Sequence, residues 1–121
     1  MKLYKEDILH HYKNPQNFGL VKEPDFCSGE HNPSCGDSVV ITGHIQDGVI
    51  VSIGFEGAGC ALSIAMASKL TTFVLQKSIF DLDVHDGLVQ ELLGIELGLN
   101  RMMCGLLSII ALRNGIAKAK G

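Results

Sequence analysis

The sequence lacks several features that mark common functional classes. It contains no dense block of Lys or Arg, and its 121 residues carry a formal net charge of −3. Because binding to phosphates of nucleic acids needs clustered positive charge, we expect no nucleic-acid partner. The "GAG" stretch before Cys60 lacks the Lys-Ser/Thr pair of a phosphate-binding loop. Nucleotide binding is therefore not expected either.

Membrane and secretion signals are also absent. No apolar run reaches the roughly 18–20 residues that cross a bilayer. The opening stretch "MKLYKEDILHHYKNP" has charges inside its apolar pattern and no small-residue cleavage site, so we expect no signal peptide. These absences predict a cytoplasmic protein without a membrane partner.

The sequence has no CxxC pair, although it contains four cysteines, Cys27, Cys35, Cys60 and Cys104. In a reducing compartment, spaced cysteines indicate metal or thiol chemistry more often than crosslinks. The last three each lie at a predicted junction: before a strand, at a helix start, and in the first turn of the last helix. Spacing alone leaves two interpretations open, a metal or thiol site and buried structural cysteines.

The first half of the chain predicts one helix and a hairpin. Apolar residues at helical spacing predict a helix over about 4–13, followed by loops over 15–34 with a short strand near 25–30. Two β-branched runs, "SVVITGHI" and "GVIVSIGF", then flank Asp47–Gly48. Glycine accepts positive φ without penalty, so this pair predicts an antiparallel hairpin.

The second half predicts three helices without a repeat or a linker. They are a long apolar helix from about Cys60, a shorter amphipathic one over 79–93 ending at Gly94, and a last one over about 100–114 with Gly115 beyond its end. This order predicts a single α+β domain over residues 1–121. It would have a small antiparallel sheet of about three strands with helices packed on one face.

In such a layer the junctions gather at one end, so distant residues can converge there. Asp37 follows Cys35 by two, which lets both side chains point to one face of an extended chain. Three thiolates and this carboxylate would complete a four-coordinate site for zinc or iron. We expect the helix dipole to lower the pKa of Cys60 and Cys104, with Arg101 adding a positive neighbour to Cys104.

Four separate pieces resemble one protein family. They are "ILHHYKNPQNFG", "NPSCGD", "FEGAGCALSIAMAS" and "RMMCGLL", and they are similar to the IscU/SufU/NifU N-terminal family of iron–sulfur cluster assembly scaffolds. The similarity covers nearly the whole chain in the same order. It implies a scaffold rather than an enzyme: a cysteine desulfurase passes persulfide sulfur to it, iron enters, and a [2Fe–2S] cluster is built and handed to downstream iron–sulfur acceptor proteins.

The resemblance also implies the site residues. Carried over by motif, Cys35, Asp37, Cys60 and Cys104 bind the cluster, or zinc in the cluster-free form. Cys35 and Cys104 are the candidate persulfide acceptors, and Arg101 supports them. The carboxylate is a harder ligand than thiolate, so we expect it to keep the bound metal or cluster exchangeable.

Two departures leave the branch of the family open. Met103 stands where the IscU branch has a histidine, and "LGLNR" at 97–101 replaces its "LPPVK"-like segment. Arg101 is SufU-like, whereas the short interval from Cys60 to Cys104 is IscU-like. A zinc-dependent sulfurtransferase that relays persulfide without building a cluster is therefore the alternative function. A structural zinc module is a third.

The remaining candidates receive structural interpretations. We expect Cys27 to be a partly buried strand residue and Met103 to be a packing residue. His31 is the histidine nearest the motif, and we expect a surface position for it. In "NPSCGD" we expect the residues before Cys35 to form the turn and Gly36 to allow close approach of backbone to ligand.

Overall fold

The computed structural model describes residues 2–34 and 36–121, with side chains from residue 5 onward. Its three strands form one antiparallel sheet in the order β1-β2-β3. The elements in chain order are α1 (Lys2–Lys13), β1 (Phe26–Asn32), β2 (Asp37–Gln46), β3 (Val49–Ala58), α2 (Ala61–Val74), α3 (Leu88–Leu93) and α4 (Leu99–Lys120). The predicted α+β class with a three-stranded sheet is confirmed.

The hairpin of β2 and β3 turns where the sequence predicts it. Asp47 and Gly48 have φ angles of 53° and 78°, and two left-handed residues in succession make the type I′ turn that matches strand twist. The register pairs Ser38 with Ala58 at the far end of the hairpin. As a result, the start of β2 lies beside the end of β3, next to the start of α2.

The helices pack against the sheet and one another. Helix α4 lies against β1 and β2, α2 lies against β3 and α4, and α1 lies against α2. Helix α2 is buried along most of its length, with Met66, Leu70 and Val74 fully enclosed, as its apolar composition predicts. Leu70→Ala would cost about 2–5 kcal/mol of unfolding free energy by leaving a cavity. This central position holds the first turn of α2 firmly against the sheet end.

The predicted helix over 79–93 is wrong for most of its length. Only Leu88–Leu93 is helical, ending at Gly94, whose φ of 74° gives the expected left-handed cap. The preceding stretch "DLDVHDG" consists of turns and irregular chain. Its aspartates compete for backbone hydrogen bonds and favour turns over helix.

The predicted end of α4 at Gly115 is also wrong, because the helix continues to Lys120. Gly115 lies inside the helix where the ring of Phe26 packs on it. A Cβ atom at this position would lie 2.7 Å from Cδ2 of Phe26, closer than non-bonded carbons approach. Glycine therefore makes room for an aromatic ring here and does not end the helix.

In the described part of the chain, α4 is the one helix long and apolar enough to cross a membrane by length and composition alone, with a mean hydropathy of 1.3. Asn100, Arg101 and Asn114 interrupt its apolar residues, so no continuous run marks it in the sequence. Its buried side packs on β1, β2 and α2. Such a composition is also typical of a helix at the centre of a protein core.

Candidate metal centre

Three of the predicted site residues converge at one end of the sheet. Asp37 is the first residue of β2, Cys60 is the N-cap of α2, and Cys104 lies in the second turn of α4. One ligand atom from each, a carboxylate oxygen and two sulfurs, lies within 4.8 Å of the other two. The fourth predicted residue, Cys35, lies outside the described residues. The convergence expected for the other three is confirmed.

Asp37 is held by donors from the first turn of α2. The residue is only 3% exposed. Its Oδ1 accepts the backbone N–H of Cys60 at 3.2 Å, and its Oδ2 accepts the Cys60 thiol at 3.3 Å. The Ser63 hydroxyl donates to Oδ2 at 2.6 Å. The carboxylate therefore bridges the start of β2 and the N-terminus of α2.

Gly59 makes this approach sterically feasible. Its φ of +133° lies where L side chains are strained, and a Cβ atom on it would overlap the Asp37 carboxylate. Gly36, by contrast, has a φ of +76° and no neighbour within 4 Å of a built Cβ. Gly36 thus serves the turn conformation. The close approach of Gly36 to a bound ligand stays a prediction, and the close approach to the Asp37 side chain occurs at Gly59.

The turn before β2 is built as the sequence indicates. The Asn32 side-chain oxygen accepts the N–H of Ser34 at 3.0 Å, and the Asn32 carbonyl accepts the N–H of Gly36 at 2.8 Å. An asparagine bonding two residues ahead is a standard turn former. These bonds fix the chain on both sides of position 35.

Ser63 is a member of the cluster that sequence reasoning missed. It is 3% exposed, and its hydroxyl lies 3.2 Å from the Cys104 carbonyl as well as 2.6 Å from Asp37. In a helix rich in Ala and Ser, the pattern predicts only that Ser63 is a small residue packed in the core. The available signal is its position three residues after Cys60, which places both on one face of the first turn.

The pKa of Asp37 is lowered from its ordinary value. Burial raises it, but hydrogen bonds from Ser63, Cys104 and Cys60 together outweigh burial. Hydrogen bonds that favour the charged form stabilise a carboxylate even in a buried position. Asp37 is therefore ionised at neutral pH and places a negative charge beside the thiols.

The pKa of Cys104 is raised to about 12, first by burial and then by Cys60 and Asp37. The expected lowering is wrong for this residue. Helix α4 begins at Leu99, so Cys104 lies in the second turn, whereas the helix dipole acts within the first. A second negative charge beside Asp37 is disfavoured as well. The Cys104 thiol is therefore protonated at neutral pH.

The donor set fits a metal cation. A tetrahedral zinc site with bonds of roughly 2.0–2.3 Å places its ligand atoms roughly 3.3–3.8 Å apart, a short movement from the observed arrangement within 4.8 Å. Within residues 5–34 and 36–121, whose side chains are described, no Lys, Arg or His forms an ion pair with Asp37. A bound cation would offset the carboxylate charge and favour the thiolates.

A cavity of about 380 Å³ opens beside the thiols. Cys60, Cys104 and Arg101 line it together with Ala61, Leu62 and Asn100. Arg101, predicted to support the cysteines, is exposed and lies on the wall of this cavity. A partner can therefore reach both thiols from a space that contains a cationic side chain.

The remaining residues with predicted environments are Cys27, Met103 and His31. Cys27 lies in β1 as predicted, but it is exposed and not partly buried. Its side chain falls on the face of the edge strand that α4 does not cover. Met103 is 49% exposed and lines a cavity with Ser34 and Asn100, so it is not a packing residue. His31 is exposed on β1, as expected.

Comparison with known proteins gives the family. The sequence profile described as "NifU-like N terminal domain" matches residues 3–121. The zinc-dependent sulfurtransferase SufU of Bacillus subtilis is 31% identical over 98% of this chain and 92% of its own length. The iron–sulfur cluster assembly scaffold protein IscU 1 of Archaeoglobus fulgidus is 34% identical, over 94% of this chain and 74% of its own.

The fold agrees with that relationship. The crystal structure of the N-terminal part of a nitrogen-fixing NifU-like protein from Brucella abortus superposes with a TM-score of 0.76 at 21% identity, covering 97% of this chain and 94% of that one. The family profile spans all four sequence pieces that carry the resemblance. The chain belongs to the IscU/SufU/NifU N-terminal family.

Proposed function

We propose that the protein is a scaffold that accepts sulfur from a cysteine desulfurase, binds iron and assembles a transferable [2Fe–2S] cluster. The observation that carries this proposal is the convergence of Asp37, Cys60 and Cys104, whose ligand atoms lie within 4.8 Å. Family membership supports it, since relatives such as IscU 1 of Archaeoglobus fulgidus are named as scaffolds.

Four side chains act as ligands in this proposal. Asp37, Cys60 and Cys104 supply three donors, and Cys35 supplies the fourth on the strength of its motif "NPSCGD". Mixed sulfur and oxygen donors suit zinc as well as iron. Zinc held by these residues in the cluster-free form would favour the thiolate forms of the cysteines. The oxygen donor is the weaker partner for a soft metal site, which favours release of the finished cluster.

Sulfur enters by exchange between thiols. The thiolate of Cys35 or Cys104 attacks the outer sulfur of the desulfurase persulfide, the S–S bond breaks, and the desulfurase cysteine leaves as a thiolate. The attack needs the thiolate form. Because the pKa of Cys104 is about 12, this residue becomes competent only when a base takes its proton or when a bound cation displaces the proton to solvent. The transferred sulfur is then reduced to sulfide by iron(II) and an external reductant.

Anaerobic reconstitution tests the scaffold role. The protein, iron(II), cysteine, a reductant and its native desulfurase should together develop visible charge-transfer absorption of a [2Fe–2S] cluster. Cys60→Ala should abolish it, while Cys27→Ala, a matched change at an exposed cysteine outside the cluster, should not. A wild-type protein that forms no cluster under these conditions would contradict the proposal.

A zinc-dependent sulfurtransferase is the second candidate, and one feature favours it. Arg101 lines the same cavity as Cys60 and Cys104, where its positive charge can stabilise a thiolate or a persulfide anion. SufU of Bacillus subtilis, named as such an enzyme, is similar over nearly the whole chain. Desulfurase turnover that requires bound zinc and Arg101, without any cluster absorption, would select this function over the scaffold.

A further inference from the structure

We infer that Ser63 is a positioning residue that holds the Asp37 carboxylate in its metal-binding orientation. This inference rests on the proposed role of Asp37 as a ligand. Both residues are 3% exposed, and the Ser63 hydroxyl donates to Oδ2 of Asp37 at 2.6 Å. A buried, charge-assisted hydrogen bond of this length fixes both partners.

The single hydroxyl proton of Ser63 has one good acceptor. Its oxygen lies 2.6 Å from the Asp37 carboxylate, 3.2 Å from the Cys104 carbonyl and 3.6 Å from Sγ of Cys60. The carboxylate is both the nearest acceptor and the charged one, so the hydroxyl donates its hydrogen bond to the carboxylate. The contact with Cys104 therefore adds packing between α2 and α4 but is not the main hydrogen bond.

Each oxygen of the Asp37 carboxylate has its own donor. The backbone N–H of Cys60 holds Oδ1 at 3.2 Å. Oδ2 accepts the Ser63 hydroxyl at 2.6 Å and the Cys60 thiol at 3.3 Å. Because a thiol is a weak donor, the hydroxyl is the main donor that orients Oδ2. Ser63 thus holds Oδ2 toward Cys60 and Cys104.

A purely structural role predicts a different outcome. If Ser63 only joined α2 to its neighbours, its loss would lower the free energy of unfolding and leave the metal affinity of the folded protein unchanged. If Ser63 positions Asp37, its loss lowers the affinity and changes the ligand field. Affinity and spectrum therefore separate the two roles.

The test compares Ser63→Ala with Ser68→Ala. Ser68 lies on the same helix and is fully buried, and its hydroxyl bonds to His11 and Gln16, away from Asp37. Zinc affinity is measured by competition with a chromophoric chelator, and the site geometry by the d–d absorption of bound Co²⁺. Circular dichroism confirms that each variant is folded, which we expect because alanine favours helix.

Loss of an outer hydrogen bond to a metal ligand typically lowers affinity about 10- to 100-fold. We expect this loss in Ser63→Ala, together with an altered Co²⁺ spectrum, and neither change in Ser68→Ala. Ser63→Thr retains a hydroxyl and should recover part of the affinity. Wild-type affinity and spectrum in Ser63→Ala, or an equal loss in Ser68→Ala, would overturn the inference. A wild-type protein that binds neither metal would instead refute the proposed function.

Discussion

Two polar clusters use helix α2 in similar ways but differ in charge balance. In each, a carboxylate from another element lies close to side chains of α2, which include a buried serine. We name them the Asp37 cluster (Asp37, Cys60, Ser63, Cys104) and the Asp7 cluster (Asp7, His11, Ser68, Lys69). Lys69 pairs directly with Asp7, whereas no cationic side chain of the described residues pairs with Asp37.

The pKa values reflect this difference. The hydrogen bond from Lys69 lowers the pKa of Asp7, so that cluster carries its own counter-charge. In the Asp37 cluster, the carboxylate is ionised and the pKa of Cys104 is raised to about 12. In the Asp7 cluster, Lys69 balances the charge of the carboxylate. The Asp37 cluster instead contains a carboxylate and two cysteines whose thiolate forms a cation would stabilise. A cluster whose charges are balanced can hold helices together, and a cluster with an unbalanced charge is a candidate binding site.

The largest expected effect comes from removing a thiol of the Asp37 cluster. Cys104→Ala deletes one of four proposed ligands, and a full zinc site is worth about 10–16 kcal/mol. One ligand is then worth about 2.5–4 kcal/mol, so zinc affinity should fall on the order of 100- to 1,000-fold. Chelator competition measures it, with Cys27→Ala as the control at wild-type affinity. An affinity within about threefold of wild type in Cys104→Ala would exclude Cys104 as a ligand.

A smaller but general effect is the pH dependence of metal binding. The pKa of Cys104 is about 12 before metal binds, so the thiol is protonated throughout the neutral range and must release its proton to the solvent. Zinc affinity should therefore rise with pH by at least about tenfold per unit near neutrality. Isothermal titration in buffers of different ionisation enthalpy counts the protons released. A pH-independent affinity would contradict this account.

In the Asp7 cluster, Ser68→Ala should affect stability alone. It removes the partner of the His11 ring at 2.6 Å and of the Gln16 N–H at 2.8 Å, which leaves partly buried groups unsatisfied. We expect a loss of about 1–2 kcal/mol in the free energy of unfolding, measured by urea denaturation. Zinc affinity per folded molecule should stay at the wild-type value, and a change would show that the two clusters are coupled.

The smallest effect is expected from Lys69→Met. The Asp7 carboxylate is 39% exposed, and solvent screening limits such a pair to less than about 1 kcal/mol. Since the folded-state pKa of Asp7 lies below its ordinary value, this contribution is present above about pH 4 and is lost as pH falls further. Urea denaturation of both proteins at neutral and acidic pH should show the difference vanish in acid.

Prediction from sequence succeeded where the signal was local. The Asp47–Gly48 turn, the N-cap position of Cys60 and the end of α3 at Gly94 all follow from short-range chemistry. It failed at Gly115, which looks like a helix end. The ring of Phe26, which comes from the edge strand, decides that position, and no local pattern reveals that contact.

The candidate site likewise has features that local sequence signals predict and features that depend on contacts between remote residues. The convergence of Asp37, Cys60 and Cys104 could be predicted, because residues at element junctions meet at one end of an α+β layer. The role of Ser63 and the raised pKa of Cys104 could not. Both depend on the distance to a carboxylate that is remote in the chain. The close packing of Gly59 against that carboxylate has no local signal in the sequence either.

The sequence by itself determined the order of the elements, the family and the choice of candidate ligand side chains, since each depends on residue types at short spacing. The tertiary structure decided how those donors meet. Packing of α2 and α4 against the start of β2 buries Asp37, aligns Ser63 with it and suppresses ionisation of Cys104. Burial and distance between remote residues arise only when the chain is packed, and they set the electrostatics of this site.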